Sequence, residues 1–130
     1  FSGCFFVMAK KILLIDDNHL TREINGSVLE QAGYKTVTAG DGRQGLDKLG
    51  EENIDLIILD LIMPGIDGFE FLKLCKKNLL TQHIPVVVLT MRDSPQDIER
   101  AKRLGAEVCL IKHKMLPKAL LDSVRTILGE

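Results

Sequence analysis

The stretch ILLIDD at residues 12–17, together with LIILD at residues 56–60, decides the fold of this chain. Each is a short apolar run that stops at aspartate, and such runs are typical of strands buried on both faces of a parallel sheet. In open sheets covered by helices, ligands bind in the crevice outside the carboxyl ends of the strands. If these two strands are neighbours, Asp16, Asp17 and Asp60 converge on one small patch. Because clustered carboxylates repel one another, such a patch favours a hard cation such as Mg²⁺.

Strand-like and helix-like segments alternate five times along the sequence, with predicted strands at residues 11–16, 35–39, 56–60, 86–90 and 107–111. The first helix is predicted to end at Gly33 and to bury one face at helical spacing, made of Leu20, Ile24, Val28, Leu29 and Ala32. This alternation favours an α/β fold, a three-layer doubly wound (βα)5 of the flavodoxin-like type. Its parallel five-stranded sheet has the order 2-1-3-4-5, which places the switch point between the two strands that end in aspartates.

The bulk properties favour one domain, which we assign to residues 8–130. A formal net charge of −1 gives no overall field to attract nucleic acid or anionic lipid. No apolar stretch approaches the roughly 20 residues of a membrane span. Three widely spaced cysteines argue against a disulfide framework and favour the reducing cytoplasm. Residues 1–7 fit nothing that follows. We interpret them as a leftover of cloning or upstream translation or as a disordered arm, with a short hydrophobic docking arm as the alternative.

The other strand ends add a hydroxyl and an amine to the aspartates. Thr90 ends the fourth strand, and Lys112 follows the fifth. A carboxylate can attack phosphorus, and phosphoryl transfer mainly needs positioning and neutralisation of the phosphoryl oxygens. Asp60 lies centrally and is therefore the predicted nucleophile, with Asp16 and Asp17 as metal-binding residues. Mg²⁺ and the Lys112 ammonium would supply the neutralising charge, and the Thr90 hydroxyl would supply a hydrogen bond.

These segments resemble the receiver domains of two-component response regulators, of the chemotaxis-regulator type. The matching segments are residues 14–17, 60–68, 88–90, 105–106 and 110–112. The resemblance implies that Asp60 is the phosphoacceptor of a sensor histidine kinase or phosphotransfer protein. It implies that Asp16 and Asp17 are the acidic pair, that Thr90 is the switch hydroxyl, and that Lys112 binds the phosphate.

The same resemblance implies that the backbone carbonyl of Ile62 is a further metal ligand. It also implies a signalling domain that catalyses only its own phosphorylation and dephosphorylation. A downstream protein or output domain would use the face of the fourth helix, the fifth strand and the fifth helix. The chain ends just after that last helix, so we expect either a single-domain regulator or one whose output domain follows Glu130.

Two positions depart from the family pattern. The family usually has proline after the lysine, where this chain has His113. We expect a trans Lys112–His113 peptide, because a cis bond before a non-proline residue costs about 2.5–4 kcal/mol. The family usually has an aromatic switch partner three residues before the lysine, where this chain has Cys109. We therefore expect the read-out of phosphorylation not to depend on an aromatic rotamer.

Two other functions compete with the phosphoacceptor hypothesis. A degenerate receiver acting as a phosphorylation-independent interaction module is motivated by His113 and Cys109 and opposed by the intact Asp60 and Lys112. An enzyme or flavin carrier on the same fold is weaker. The G-x-G-x-x-G of dinucleotide enzymes is missing, and the acidic pair after the first strand would repel a flavin phosphate.

Overall fold

The computed structural model describes residues 9–91, 94–112 and 117–130. Strands and helices alternate five times, as predicted. The strands are β1 (Lys11–Ile15), β2 (Lys35–Ala39), β3 (Leu56–Leu59), β4 (Val86–Thr90) and β5 (Val108–Ile111). The helices are α1 (His19–Gln31), α2 (Gly42–Glu51), α3 (Gly68–Lys77), α4 (Pro95–Arg103) and α5 (Pro117–Leu128). The predictions about residues 1–7 and about the Lys112–His113 peptide fall outside the described residues.

The five strands form one parallel sheet in the order β2-β1-β3-β4-β5, which confirms the predicted topology. β1 and β3 end one residue earlier than predicted, at Ile15 and Leu59, which lie side by side in the register. Asp60 still lies at the carboxyl ends of these two strands, because its backbone N–H donates to the carbonyl of Ile15 at 2.9 Å. The carboxyl ends of these two strands therefore deliver Asp16 and Asp60 to the same place.

Helices cover both faces of the sheet and create two hydrophobic cores. One core lies under α2, α3 and α4 and contains the fully buried Phe71 and Leu72. The other lies under α1 and α5 and contains Leu29 and Leu120. β1, β3 and β4 supply side chains to both cores, which explains why their sequences are apolar without alternation.

The buried face of α1 differs in part from the predicted one. Leu20 and Ile24 are 63% and 49% exposed, whereas Asn25, Gly26 and Leu29 are buried. At Gly26 a Cβ atom would lie 3.5 Å from Leu14 Cδ1, an ordinary van der Waals distance, so this side of α1 lies against β1. The prediction was wrong for Leu20 and Ile24, because it followed the large apolar residues, and it is confirmed for Leu29 and for Ala32, which packs against the same core.

α1 begins at a capping residue directly after the acidic pair. The side chain of Asn18 accepts a hydrogen bond from the Thr21 N–H at 2.9 Å, satisfying one of the free donors of the first turn. This cap fixes where the chain leaves the sheet edge and enters the helix. Within the described ranges, none of the five helices has the length and apolar character that a membrane span requires.

Candidate functional site

Three carboxylates meet at the carboxyl edge of the sheet. Asp16 and Asp17 follow β1, Asp60 follows β3, and each offers an oxygen within 4.8 Å of those of the other two. Asp16 and Asp60 are both 6% exposed, whereas Asp17 faces solvent. The predicted convergence of the three aspartates is thus present. One exposed carboxylate beside two buried ones forms an acidic site that is open on one side.

Lys112, just beyond β5, reaches across the sheet into this acidic site. Its ammonium lies 2.6 Å from Asp16 Oδ2 and 3.4 Å from Asp60 Oδ2. The Lys112 side chain is only 14% exposed, and both aspartate side chains are 8% exposed. A buried ammonium must be paired, and here one cation bridges two anions. The sequence placed Lys112 near Asp60, but its shorter contact is with Asp16.

The groups around the Asp60 carboxylate shift its pKa in opposite directions. Burial raises the pKa of Asp60 above its ordinary value, the Lys112 ammonium and the Ile62 N–H lower it, and the Asp16 charge raises it. The Ile62 N–H donates to Asp60 Oδ1 at 3.2 Å, while Oδ2 faces Lys112. Because burial disfavours the charged form, an added cation would stabilise this carboxylate further.

Backbone contacts fix the position of Asp16. The Asn18 N–H donates to Asp16 Oδ1 at 2.9 Å, and the Arg22 guanidinium donates to the Asp16 carbonyl at 2.6 Å. Arg22 was not among the predicted site residues. One signal was available: an arginine one turn into a helix lies toward the positive end of the helix dipole, which is unfavourable unless a local acceptor holds it. Here that acceptor is the backbone carbonyl of Asp16, the first residue of the acidic pair.

Asn25 was also missed, and no motif in the sequence identifies it. It is 8% exposed on the inner face of α1 and lines a small cavity together with Asp16 and Asp60. A polar residue on the buried face of an amphipathic helix is the only sequence signal. The signal was hidden because the predicted inner face was rotated toward Leu20 and Ile24.

The other predicted site residues are Thr90, Ile62 and Cys109. Thr90 is fully buried at the end of β4 and pairs in register with Ile111, the neighbour of Lys112. The Ile62 backbone contacts Asp60 through its N–H, while its side chain is exposed. Cys109 is partly buried, and its thiol lies 3.9 Å from the Ile98 carbonyl in α4. Burial raises the pKa of the Cys109 thiol, so it is not a reactive thiolate.

This arrangement is suited to two kinds of chemistry. Oxygen ligands on three carboxylates, one of them open to solvent, suit a hard divalent cation that keeps several waters. A buried carboxylate beside an ammonium can act as a nucleophile whose product oxygens the ammonium neutralises. The described side chains of the site therefore favour phosphoryl chemistry with a divalent metal.

Comparison with known proteins gives concordant matches. The family model of the response regulator receiver domain matches residues 12–125. The chain is 37% identical over 121 residues to the phosphate regulon transcriptional regulatory protein PhoB of Klebsiella pneumoniae, covering 93% of this chain and 52% of that protein. It therefore spans about half the length of its PhoB relatives. It is 29% identical to the polar-differentiation response regulator DivK of Brucella ovis, covering 95% of this chain and 99% of DivK.

Solved structures agree with the sequence matches. Chemotaxis protein CheY4 of Vibrio cholerae superposes with a TM-score of 0.86 at 34% identity, covering 92% of this chain and 98% of CheY4. A putative response regulator of Chloroflexus aurantiacus superposes with a TM-score of 0.88 at 28% identity, covering 95% of this chain and 100% of that chain. The family model, the relatives and the shared five-stranded topology lead to one conclusion: the chain belongs to the receiver domain family of the response regulators.

Proposed function

We propose that this domain takes a phosphoryl group from a sensor histidine kinase or phosphotransfer protein onto Asp60, in a Mg²⁺-dependent reaction. One Asp60 oxygen forms a bond to phosphorus while the bond from phosphorus to the donor's imidazole nitrogen breaks. The electron pair of the broken bond stays with the imidazole, which takes up a proton. The observation that carries this proposal is the Lys112 ammonium, which already lies between Asp16 and Asp60.

The side chains around Asp60 have distinct roles in this proposal. Lys112 exchanges its contact with Asp16 for a contact with a phosphoryl oxygen, and the Thr90 hydroxyl donates to another. The metal ligands are the carboxylates of Asp16, Asp17 and Asp60 and the backbone carbonyl of Ile62. Bound Mg²⁺ would supply positive charge between the carboxylates and the incoming phosphoryl oxygens. The clustered carboxylate oxygens support this assignment, since they suit a hard cation.

Small-molecule phosphodonors test the assignment of Asp60 directly. Incubation with phosphoramidate and Mg²⁺ should add one phosphoryl group to the intact mass, and borohydride reduction should map it to Asp60. Asp60→Asn should gain none, because an amide is a poor nucleophile. Asp47→Asn is the matched control, since Asp47 is exposed on α2 and pairs only with Arg43 among the described residues. Wild-type labelling in Asp60→Asn would show that another residue is the acceptor.

The metal requirement is tested by removing the exposed ligand. Asp17→Ala should abolish Mg²⁺-dependent labelling while leaving the fold intact, because Asp17 is exposed and its side chain makes none of the hydrogen bonds or ion pairs found among the described residues. EDTA should have the same effect on the wild type. Undiminished labelling of the variant, or of the wild type in EDTA, would contradict the metal assignment.

The competing function is a phosphorylation-independent interaction module, favoured by Cys109 in place of an aromatic switch partner. The two functions differ in whether the face of α4, β5 and α5 responds to phosphorylation. We propose that it does, through the segment after Thr90 and α4, for a downstream protein or output domain. Arg100 of α4 lies 4.2 Å from the centre of the Phe69 ring, which connects this helix to the start of α3 near Asp60.

This proposal places the domain in the cytoplasm, where such kinases act.

Beryllofluoride mimics an aspartyl phosphate and separates these two functions. Amide chemical shifts should change in α4 upon its addition with Mg²⁺ and change little at Cys109. Unchanged shifts throughout α4, in a protein that does bind beryllofluoride, would favour the interaction module. Shifts confined to α1 would indicate a different responding face.

A further inference from the structure

The buried amide of Asn25 makes no hydrogen bond within the part of the chain that the structure describes, although the residue is only 8% exposed. No described side-chain nitrogen or oxygen that is sealed from water lacks a partner. The amide atoms of Asn25 must therefore reach space that a water molecule can enter. A buried amide without a partner is costly, so bound water is the expected partner.

Two cavities meet at Asn25. The inner one lies against the carboxylates and is lined by Asp16, Asp60 and Arg22. The outer one opens beside Lys112 and is lined mainly by apolar side chains. Among the described lining residues, the two cavities share only Asn25 and Leu89. Among the described residues, Asn25 is therefore the polar side chain common to the linings of both cavities.

The inner cavity has the size and lining of a water site. The space open to the centre of a water molecule is about 10 Å³, close to the minimum of roughly 10–15 Å³ that one water needs. A buried water also needs two to four polar partners. Four of the residues that line the cavity carry polar side chains of this kind: Asn25, Asp16, Asp60 and Arg22. An apolar residue at position 25 would remove one of these partners.

We infer that Asn25 is a positioning residue of the site, which holds one buried water behind Asp16 and Asp60 and through it orients the two carboxylates. The water donates to the carboxylates from the side opposite the solvent, and the Asn25 amide fixes it from α1. Lys112 and the metal then meet carboxylates that are already hydrogen-bonded from behind. This inference rests on the proposed function of Asp60.

The first test examines the water itself in the unphosphorylated protein. Rotating-frame Overhauser spectra should show cross-relaxation between a long-lived water and the Asn25 side-chain NH₂. This measurement needs no phosphodonor, so it judges the water site independently of the proposed function. Absence of the cross-peak, in a spectrum that resolves the Asn25 NH₂, would overturn the inference.

The second test replaces the amide. Asn25→Leu has similar volume and no polar group, and should lower both Mg²⁺ affinity and the rate of labelling by phosphoramidate about fivefold, the effect of one hydrogen bond. Asn25→Ser retains a hydroxyl that can bind water and should keep at least half of the wild-type rate. The expected loss is in the maximal rate rather than in the phosphodonor concentration at half-rate.

Thr21→Val is the matched control, because Thr21 lies on the same helix and lines only the outer cavity. It should match the wild type in both measurements. If Asn25→Leu does not fold, as judged by circular dichroism, the smaller Asn25→Val replaces it. Rates and Mg²⁺ affinities of the apolar variant within twofold of the wild type would overturn the positioning role. If the wild type itself gains no phosphoryl group, the proposed function fails. The Mg²⁺ affinities of the variants then still test the positioning role of Asn25.

Discussion

At the scale of single residues, Lys112 is shared between two carboxylates at unequal distances. It lies 2.6 Å from Asp16 and 3.4 Å from Asp60, and all three side chains are largely buried. A cation that neutralises the acidic site also competes with any metal that enters it. The same residue should therefore oppose metal binding and promote phosphoryl uptake.

Lys112→Gln separates these two effects. The variant should bind Mg²⁺ more tightly than the wild type, by a few-fold or more, because a competing positive charge is gone. It should gain a phosphoryl group at least about tenfold more slowly, since the phosphoryl oxygens lose a neutralising group. Mg²⁺ titrations followed by amide chemical shifts, and intact-mass time courses, measure the two quantities.

Lys11→Gln is the control, because Lys11 pairs with Glu52 at the amino end of β1, whereas the site lies at the carboxyl ends of the strands. It should change neither quantity. Weaker Mg²⁺ binding in Lys112→Gln would show that the ammonium supports the metal site instead of competing with it.

At the scale of elements, α3 begins directly on the backbone of Asp60, the proposed phosphoacceptor. Asp67 caps this helix by accepting the Glu70 N–H at 2.9 Å. A Cβ atom on Gly68 would lie 2.4 Å from the Asp60 carbonyl oxygen and 2.5 Å from Leu61 Cα. These are backbone atoms, which cannot move aside as the end of a side chain can. Only glycine therefore allows α3 to start so close to the site.

Gly68→Ala should destabilise the protein by at least about 2 kcal/mol, the scale of overpacking in a core. Gly50→Ala is the matched control, since Gly50 is helical in α2 and a Cβ there would meet nothing within 4 Å. It should stabilise the protein by about 0.5–1 kcal/mol, because alanine restricts the unfolded chain. Urea unfolding of both variants checks the opposite signs. A neutral Gly68→Ala would mean that α3 can shift away from Asp60 at little cost.

The elements also show what the sequence could and could not predict. The strands were predictable because buried parallel strands are apolar on both faces and stop at polar residues. The aspartate cluster was predictable because parallel strands end at one edge. The inner face of α1 was predictable at Leu29 but not in the first two turns, because hydrophobic periodicity favours Leu20 and Ile24, whereas Asn25 and Gly26 are the buried positions there. The Lys112–Asp16 pair was also hidden, since β4 and β3 separate β5 from β1 in the sheet.

At the scale of the whole molecule, one hydrogen bond connects the end of the described chain to the core under α1 and α5. The Tyr34 hydroxyl donates to Glu130 Oε1 at 2.5 Å, and Tyr34 is 6% exposed. Burial and the neighbouring Glu130 carboxylate raise the pKa of Tyr34 to about 12, from an ordinary value of 10.0. This contact keeps the residues after α5 against the start of β2.

The raised pKa of Tyr34 predicts an alkaline loss of stability. Between about pH 10 and 12 the unfolded chain loses the phenolic proton while the folded protein keeps it. The stability that Tyr34 contributes is therefore fully present below about pH 10 and is lost as the pH rises through about 12. Tyr34→Phe should lack this loss.

Unfolding free energies of the wild type and Tyr34→Phe should converge as the pH rises from 9 toward 12. The lysines titrate in both proteins and cancel in the difference between them. A difference in unfolding free energy that stays constant over this range would contradict the raised pKa.

The separation of the site residues along the chain has a consequence for synthesis. Asp16 and Lys112 are 96 residues apart, and Asp60 and Lys112 are 52 apart. At ribosomal rates, Lys112 is added about 5–20 s after Asp16. A nascent chain therefore carries its aspartates before it has the lysine that completes the site. On the proposed function, competence to receive a phosphoryl group thus arises only after Lys112 has been added and β5 has joined the sheet, so a nascent chain that still lacks this residue should not draw phosphoryl groups from the kinase.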